Sequence, residues 1–159
     1  GLICNDYLKT SKRAEMIDIH TGLGPYGYGE LMTPSKPGEA IYDFFFNWYG
    51  DEVHSTTAGS SLYAGSKGSL LAGFQPLSDS LEWAAVGLEY GTRERETVRK
   101  AMLANSWLHL HGELDSDLGR KIKQEVKDAS YPDEDEWKSL VWERGKEVIG
   151  IALKQFPNS

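Results

Sequence analysis

The stretch 21–29, Thr-Gly-Leu-Gly-Pro-Tyr-Gly-Tyr-Gly, holds four glycines in nine residues with a proline between them, and nothing else in the chain limits its possible folds as much. Directly ahead of it, residues 14–20 alternate, with Met16, Asp18 and His20 on one face and Ile17 and Ile19 on the other. That is the period-2 pattern of a strand. Glycine opens backbone conformations closed to other residues and lets another group approach closely, so 21–29 is expected to be an irregular loop. Loops that follow strands are where α/β proteins place their sites.

The rest of the chain reads as alternating strands and helices. Residues 2–13 resemble the end of a helix and 30–33 a short strand. Pro37 and Glu39 open a helix that runs through Tyr49 and stops at Gly50, with Ile41, Phe44, Phe45 and Trp48 as its core face. From 51 to 80 the composition turns to Gly and Ser, with brief strands expected at 61–64 and 70–74. Residues 84–90 read as a buried strand. Thr92 then caps a long helix that Gly112 ends. A second helix covers 116–129 with Leu118, Ile122 and Val126 as its stripe. A third runs from Pro132 to Phe156, with acidic residues 133–136 at its N-terminal dipole and Trp137, Val141, Val148 and Ala152 facing inward. The expected class is α/β, a single domain over 1–159 with a mixed, mostly parallel sheet flanked by helices.

Bulk composition excludes several functions. With 40% hydrophobic residues in 159, the chain can bury an ordinary core. Seventeen basic against 24 acidic residues leave a net charge of −7, which repels a phosphate backbone, so nucleic acid is not an expected partner. No apolar run approaches the roughly 20 residues of a membrane span. The single cysteine, Cys4, fits a reducing compartment, and a cytoplasmic location is expected.

Two polar residues stand out against apolar surroundings. His20 ends the first strand, with Asp18 two positions earlier on the same face, an arrangement suited to a metal ligand oriented by a carboxylate. Glu89 lies at the end of another strand, 84–90, where a carboxylate is costly unless it is paired or functional. Together they suggest a metal hydrolase in which the histidine binds zinc and the glutamate deprotonates water. Tyr26 and Tyr28 offer hydrogen bonds to a substrate carbonyl or carboxylate, and Arg93 offers a charge to an acidic group. Each is also readable as an ordinary loop or surface residue. Glu30 is expected to fix the glycine loop through backbone N–H groups, His54 to be solvated or a stray ligand, and His109 and His111 to line a helix end. A polyanion-binding reading of the glycines fails because Pro25 lies among them and no helix follows.

Residues 17–30 (Ile-Asp-Ile-His-Thr-Gly-Leu-Gly-Pro-Tyr-Gly-Tyr-Gly-Glu) and 86–92 (Val-Gly-Leu-Glu-Tyr-Gly-Thr) resemble an uncharacterised bacterial branch of the zinc carboxypeptidase superfamily, the one that also holds succinylglutamate desuccinylase and aspartoacylase. The resemblance covers most of the chain, including the helix ending at 105–112. It implies the C-terminal part of a carboxypeptidase-like domain, with His20 as the third zinc ligand and Glu89 as general base. The implied reaction is hydrolysis of an amide bond in a small peptide or N-acyl amino acid. The family's first two ligands come from a His-x-x-Glu motif, and this sequence contains none: His54 is followed by Ser-Thr-Thr and His111 by Gly-Glu-Leu. Two readings therefore stand, a zinc-dependent amide hydrolase and a non-catalytic α/β module or truncated homologue with an incomplete metal site. The chain begins at Gly1 without an initiator Met. An absent N-terminal half is the matching expectation, and with it an exposed apolar edge that favours homo-oligomers.

Overall fold

The computed structural model describes residues 8, 10–64, 71 and 82–155. Among them are strands β1 (Arg13–Tyr26), β2 (Gly29–Thr33), β3 (Val53–Ser55) and β4 (Glu82–Gly91), and helices α1 (Ala40–Tyr49), α2 (Arg95–His111), α3 (Asp117–Ser130) and α4 (Asp135–Gln155). A 3-10 turn at Gly50–Glu52 joins α1 to β3. The four strands form one sheet in the order β1-β4-β2-β3.

This is an α/β fold, and its sheet is mixed and not mostly parallel. The chain reverses between β1 and β2 through a turn closed by the Tyr28 N–H on the Pro25 carbonyl. β2 and β3 are parallel, with Leu31 opposite Val53, Met32 opposite His54 and Thr33 opposite Ser55. β2 is buried along its whole length, as expected of an interior strand covered on both faces.

The glycine stretch departs from expectation in an informative way. Residues 21–26 continue β1, so it runs 14 residues and the irregular part shrinks to Gly27 and Tyr28. The glycines serve close approach: a Cβ on Gly91 would lie 2.0 Å from the Pro25 carbonyl oxygen and 2.4 Å from Gly24. Gly27 adopts φ +70°, a left-handed conformation in which L side chains are strained. Pro25 is tolerated because β1 is an edge strand.

Other expectations shift by a few residues or change face. α1 starts at Ala40, three residues after Pro37, and Gly50 ends it with φ 63°. It buries Phe45 and Tyr49, while Ile41 is exposed and Phe44 and Trp48 are half-buried. Thr92 is buried and caps nothing; Glu94 is the N-cap of α2, and Gly112 ends that helix as read. Ser116 does cap α3, accepting from the Gly119 N–H. α3 buries Gly119, Ile122 and Ala129, with Leu118 exposed and Val126 half-buried. α4 begins at Asp135 and not at Pro132; of its expected inner face, Trp137, Val148 and Ala152 are buried and Val141 is half-buried. Residues 61–64 form turns where a strand was expected, and β3 was not foreseen. The expected strand at 70–74 and most of the helix end at 2–13 lie outside the described residues.

The contacts divide the chain into two compact units, one of Gly1–Ile19, Glu30–Leu88 and Val148–Ser159, the other of His20–Gly29 and Glu89–Glu147. The first has Leu31, Phe45, Val53, Val86, Leu88 and Val148 at its centre, each at most 2% exposed. In the second, Tyr90 and Leu108 are buried to the same degree, and the Tyr90 hydroxyl donates to the Val141 carbonyl at 3.0 Å.

Candidate active site

Glu89 and His20 fall in the same compact unit. Glu89 stands third from the end of β4 and is 3% exposed, flanked by Leu88 and Tyr90, which are also buried. The apolar run ending in a carboxylate was legible in sequence, and so was its position near the C-terminal end of the strand. His20 departs from its expected place. It is exposed in the middle of β1 and does not end the strand, because the glycines that suggested a loop continue the extended backbone. Asp18, two residues earlier on β1, is half-buried.

The second unit brings together two of the three expected substrate-binding residues. Arg93 donates from a terminal guanidinium nitrogen to Glu134 Oε1 at 2.7 Å, and from Nε to the Asp128 carbonyl at 3.4 Å. The Tyr26 hydroxyl donates to Glu134 Oε2. That hydrogen bond is the main cause that pushes the Tyr26 phenol up to about 12. The same bond, followed by that from Arg93, holds Glu134 below the usual carboxylate range. In sequence Glu134 carries only the signal of an acidic residue near a helix start, so its part in the cluster was not readable. Tyr28 sits in the turn, 44% exposed, and its side chain makes no hydrogen bond among the described residues.

Below this cluster the backbone is tightly tied. The Gly91 carbonyl accepts from the Gly27 N–H at 2.9 Å, and the Gly91 N–H donates to the Tyr28 carbonyl at 3.0 Å. The Thr92 hydroxyl lies 2.8 Å from the Gly22 carbonyl oxygen and 2.6 Å from that of Ala129, which explains why Thr92 is buried and does not cap α2.

The sequence of residues 2–144 matches the family described as protein of unknown function DUF2817. The chain belongs to the DUF2817 family. No curated protein and no solved structure matches it.

Two of the remaining three histidines of this DUF2817 chain, His109 and His54, have partners of other kinds. His109 Nε2 lies 2.6 Å from Lys123 Nζ, which also donates to Asn105 at 2.8 Å, so it lines the α2–α3 contact. His111 is exposed at the end of α2. His54, on β3, is neither stray nor simply solvated: its Nδ1 lies 2.7 Å from Glu30 Oε1. Glu30 was expected to fix the glycine loop through backbone N–H groups; the backbone N–H it accepts is instead that of Leu62, at 3.1 Å and outside that loop.

Among the described residues, no group of three or more His, Cys, Asp and Glu side chains is placed to hold a metal ion. A catalytic zinc takes three protein ligands and keeps one position open. The described residues therefore do not by themselves complete such a centre. No helix among them is long and apolar enough to cross a membrane.

Proposed function

We propose that this chain carries part of an amide-hydrolysing site acting on a small peptide or N-acyl amino acid, with Glu89 as general base. The observation that carries the reading is a carboxylate 3% exposed between Leu88 and Tyr90, both buried, a placement that natural folds reserve for paired or functional groups. In this reading Glu89 takes a proton from water as the water oxygen attacks the amide carbonyl, then returns it to the leaving nitrogen. His20 is assigned the side of the zinc ligand by resemblance, with Asp18 orienting it.

Arg93 and Tyr26 are the groups that would hold the substrate carboxylate. Their support is chemical: the partner they share in the folded chain is itself a carboxylate, that of Glu134, and an arginine paired with a hydroxyl donor suits such a group. The second reading, a non-catalytic module, draws on the absence of a three-ligand group among the described residues. Release of free amine from a panel of dipeptides and N-acyl amino acids, with zinc supplied, separates the two. Turnover that falls in Arg93→Ala through a raised KM supports the hydrolase, whereas no amine release from any member supports the module.

A further inference from the structure

The first compact unit contains a second arrangement of catalytic type. Glu30 lies on β2 and His54 on β3. Because Met32 is the partner of His54 in the parallel register, and Glu30 shares the face of Met32 by strand alternation, the two side chains meet. Glu30 Oε1 accepts from the Leu62 N–H at 3.1 Å and lies 2.7 Å from His54 Nδ1. An oxygen already accepting from one donor leaves Nδ1 to act as the second, which fixes the imidazole as its Nδ1–H tautomer. Nε2 then carries the lone pair, and it has no hydrogen-bond partner among the described residues. The two side chains differ sharply in exposure, 31% for His54 against 1% for Glu30, so the ring reaches solvent while its carboxylate does not. Glu30 Oε2 is buried without a hydrogen-bond partner among the described residues.

We propose that His54 is a general base oriented by Glu30, and that it promotes hydrolysis of carboxylic esters by water. His54 Nε2 removes a proton from water as the water oxygen bonds to the ester carbonyl carbon and the carbonyl π pair moves onto its oxygen. When that pair returns, the bond to the alcohol oxygen breaks and the imidazolium gives its proton to the departing oxygen. The products are acid and alcohol, and His54 ends neutral as it began. The buried carboxylate holds the ring orientation and accepts from Nδ1–H while the transient imidazolium forms. Glu30 is thus a positioning residue and His54 the catalytic one. This inference does not depend on the role given to Glu89.

The test pairs kinetics with spectroscopy on the whole chain. p-Nitrophenyl acetate is the probe, and the wild-type chain should cleave it at least ~10-fold faster than the same concentration of free imidazole. His54→Ala should fall to the free-imidazole level and regain rate when imidazole is added, while His111→Ala leaves the rate unchanged. Nitrogen NMR of the wild-type chain should find His54 protonated at Nδ1 and bare at Nε2, and Glu30→Gln should lower the rate and disturb that tautomer. The NMR measurement needs no variant, so a Glu30→Gln chain that fails to fold leaves the proposal testable. An Nε2–H tautomer in the wild type, or a His54→Ala rate equal to wild type, overturns it.

Discussion

The indole N–H of Trp137 donates to the carbonyl oxygen of Gly91 across 2.9 Å. Trp137 is 3% exposed, and the same carbonyl accepts from Gly27, so α4 and the turn after β1 are fastened to one atom at the end of β4. Trp137→Phe keeps the aromatic packing and removes the donor. Because Gly27 still satisfies the carbonyl, the expected loss is about 1 kcal/mol, read from urea denaturation. Trp137→Ala should cost about 3–5 kcal/mol through the cavity it leaves.

Gly91 itself tolerates no side chain. A methyl group there would sit 2.0 Å from the Pro25 carbonyl oxygen, and backbone atoms cannot step aside as a flexible side chain would. Gly91→Ala is expected to destabilise by about 3 kcal/mol. Gly150, in α4, has nothing within 4 Å of its would-be Cβ, so Gly150→Ala should stabilise by about 0.5–1 kcal/mol through helix propensity. Thermal melts of the two variants should move in opposite directions.

How far the sequence foretold these contacts follows from their physics. Alternation and apolar runs located β2, β4 and the three long helices, because burial imposes a period on the residues it selects. The glycine stretch was misread because glycine marks both loops and close backbone approach, and only the partner strand tells which. The approach of Gly91 to Gly24 and Pro25 spans more than 60 positions of sequence. Likewise Glu89 was legible as a polar residue in an apolar run, whereas Glu134 and the Glu30–His54 contact depend on long-range neighbours that no local pattern carries.

Stability should depend on pH through Glu15. Burial pushes its carboxyl from 4.5 up to about 7, against a smaller lowering by the Tyr49 hydroxyl, which lies 3.0 Å from Oε1. Between those values the folded chain keeps a proton that the unfolded chain has released, so the contribution is full below pH 4.5 and is lost as pH rises toward 7. Glu15→Gln should flatten this part of the stability profile and raise the urea midpoint at pH 8. Parallel profiles for the two proteins would remove Glu15 from the account.

Freeing Arg93 and Tyr26 from Glu134 should strengthen substrate binding if these two groups hold a carboxylate. Arg93 and Glu134 are 35% and 48% exposed, so their ion pair is weak. Glu134→Gln should therefore lower KM for an N-acyl amino acid by at most about fivefold, with kcat unchanged. A KM that rises instead would assign Glu134 to the substrate site.

The most direct test of the central claim is the rate of amide hydrolysis in Glu89→Gln, measured as amine released from an N-acyl amino acid with zinc supplied. Removal of a general base predicts a fall in kcat of about 100-fold or more with KM little changed. A Glu89→Gln chain that folds and hydrolyses the amide at the wild-type rate would contradict the assignment.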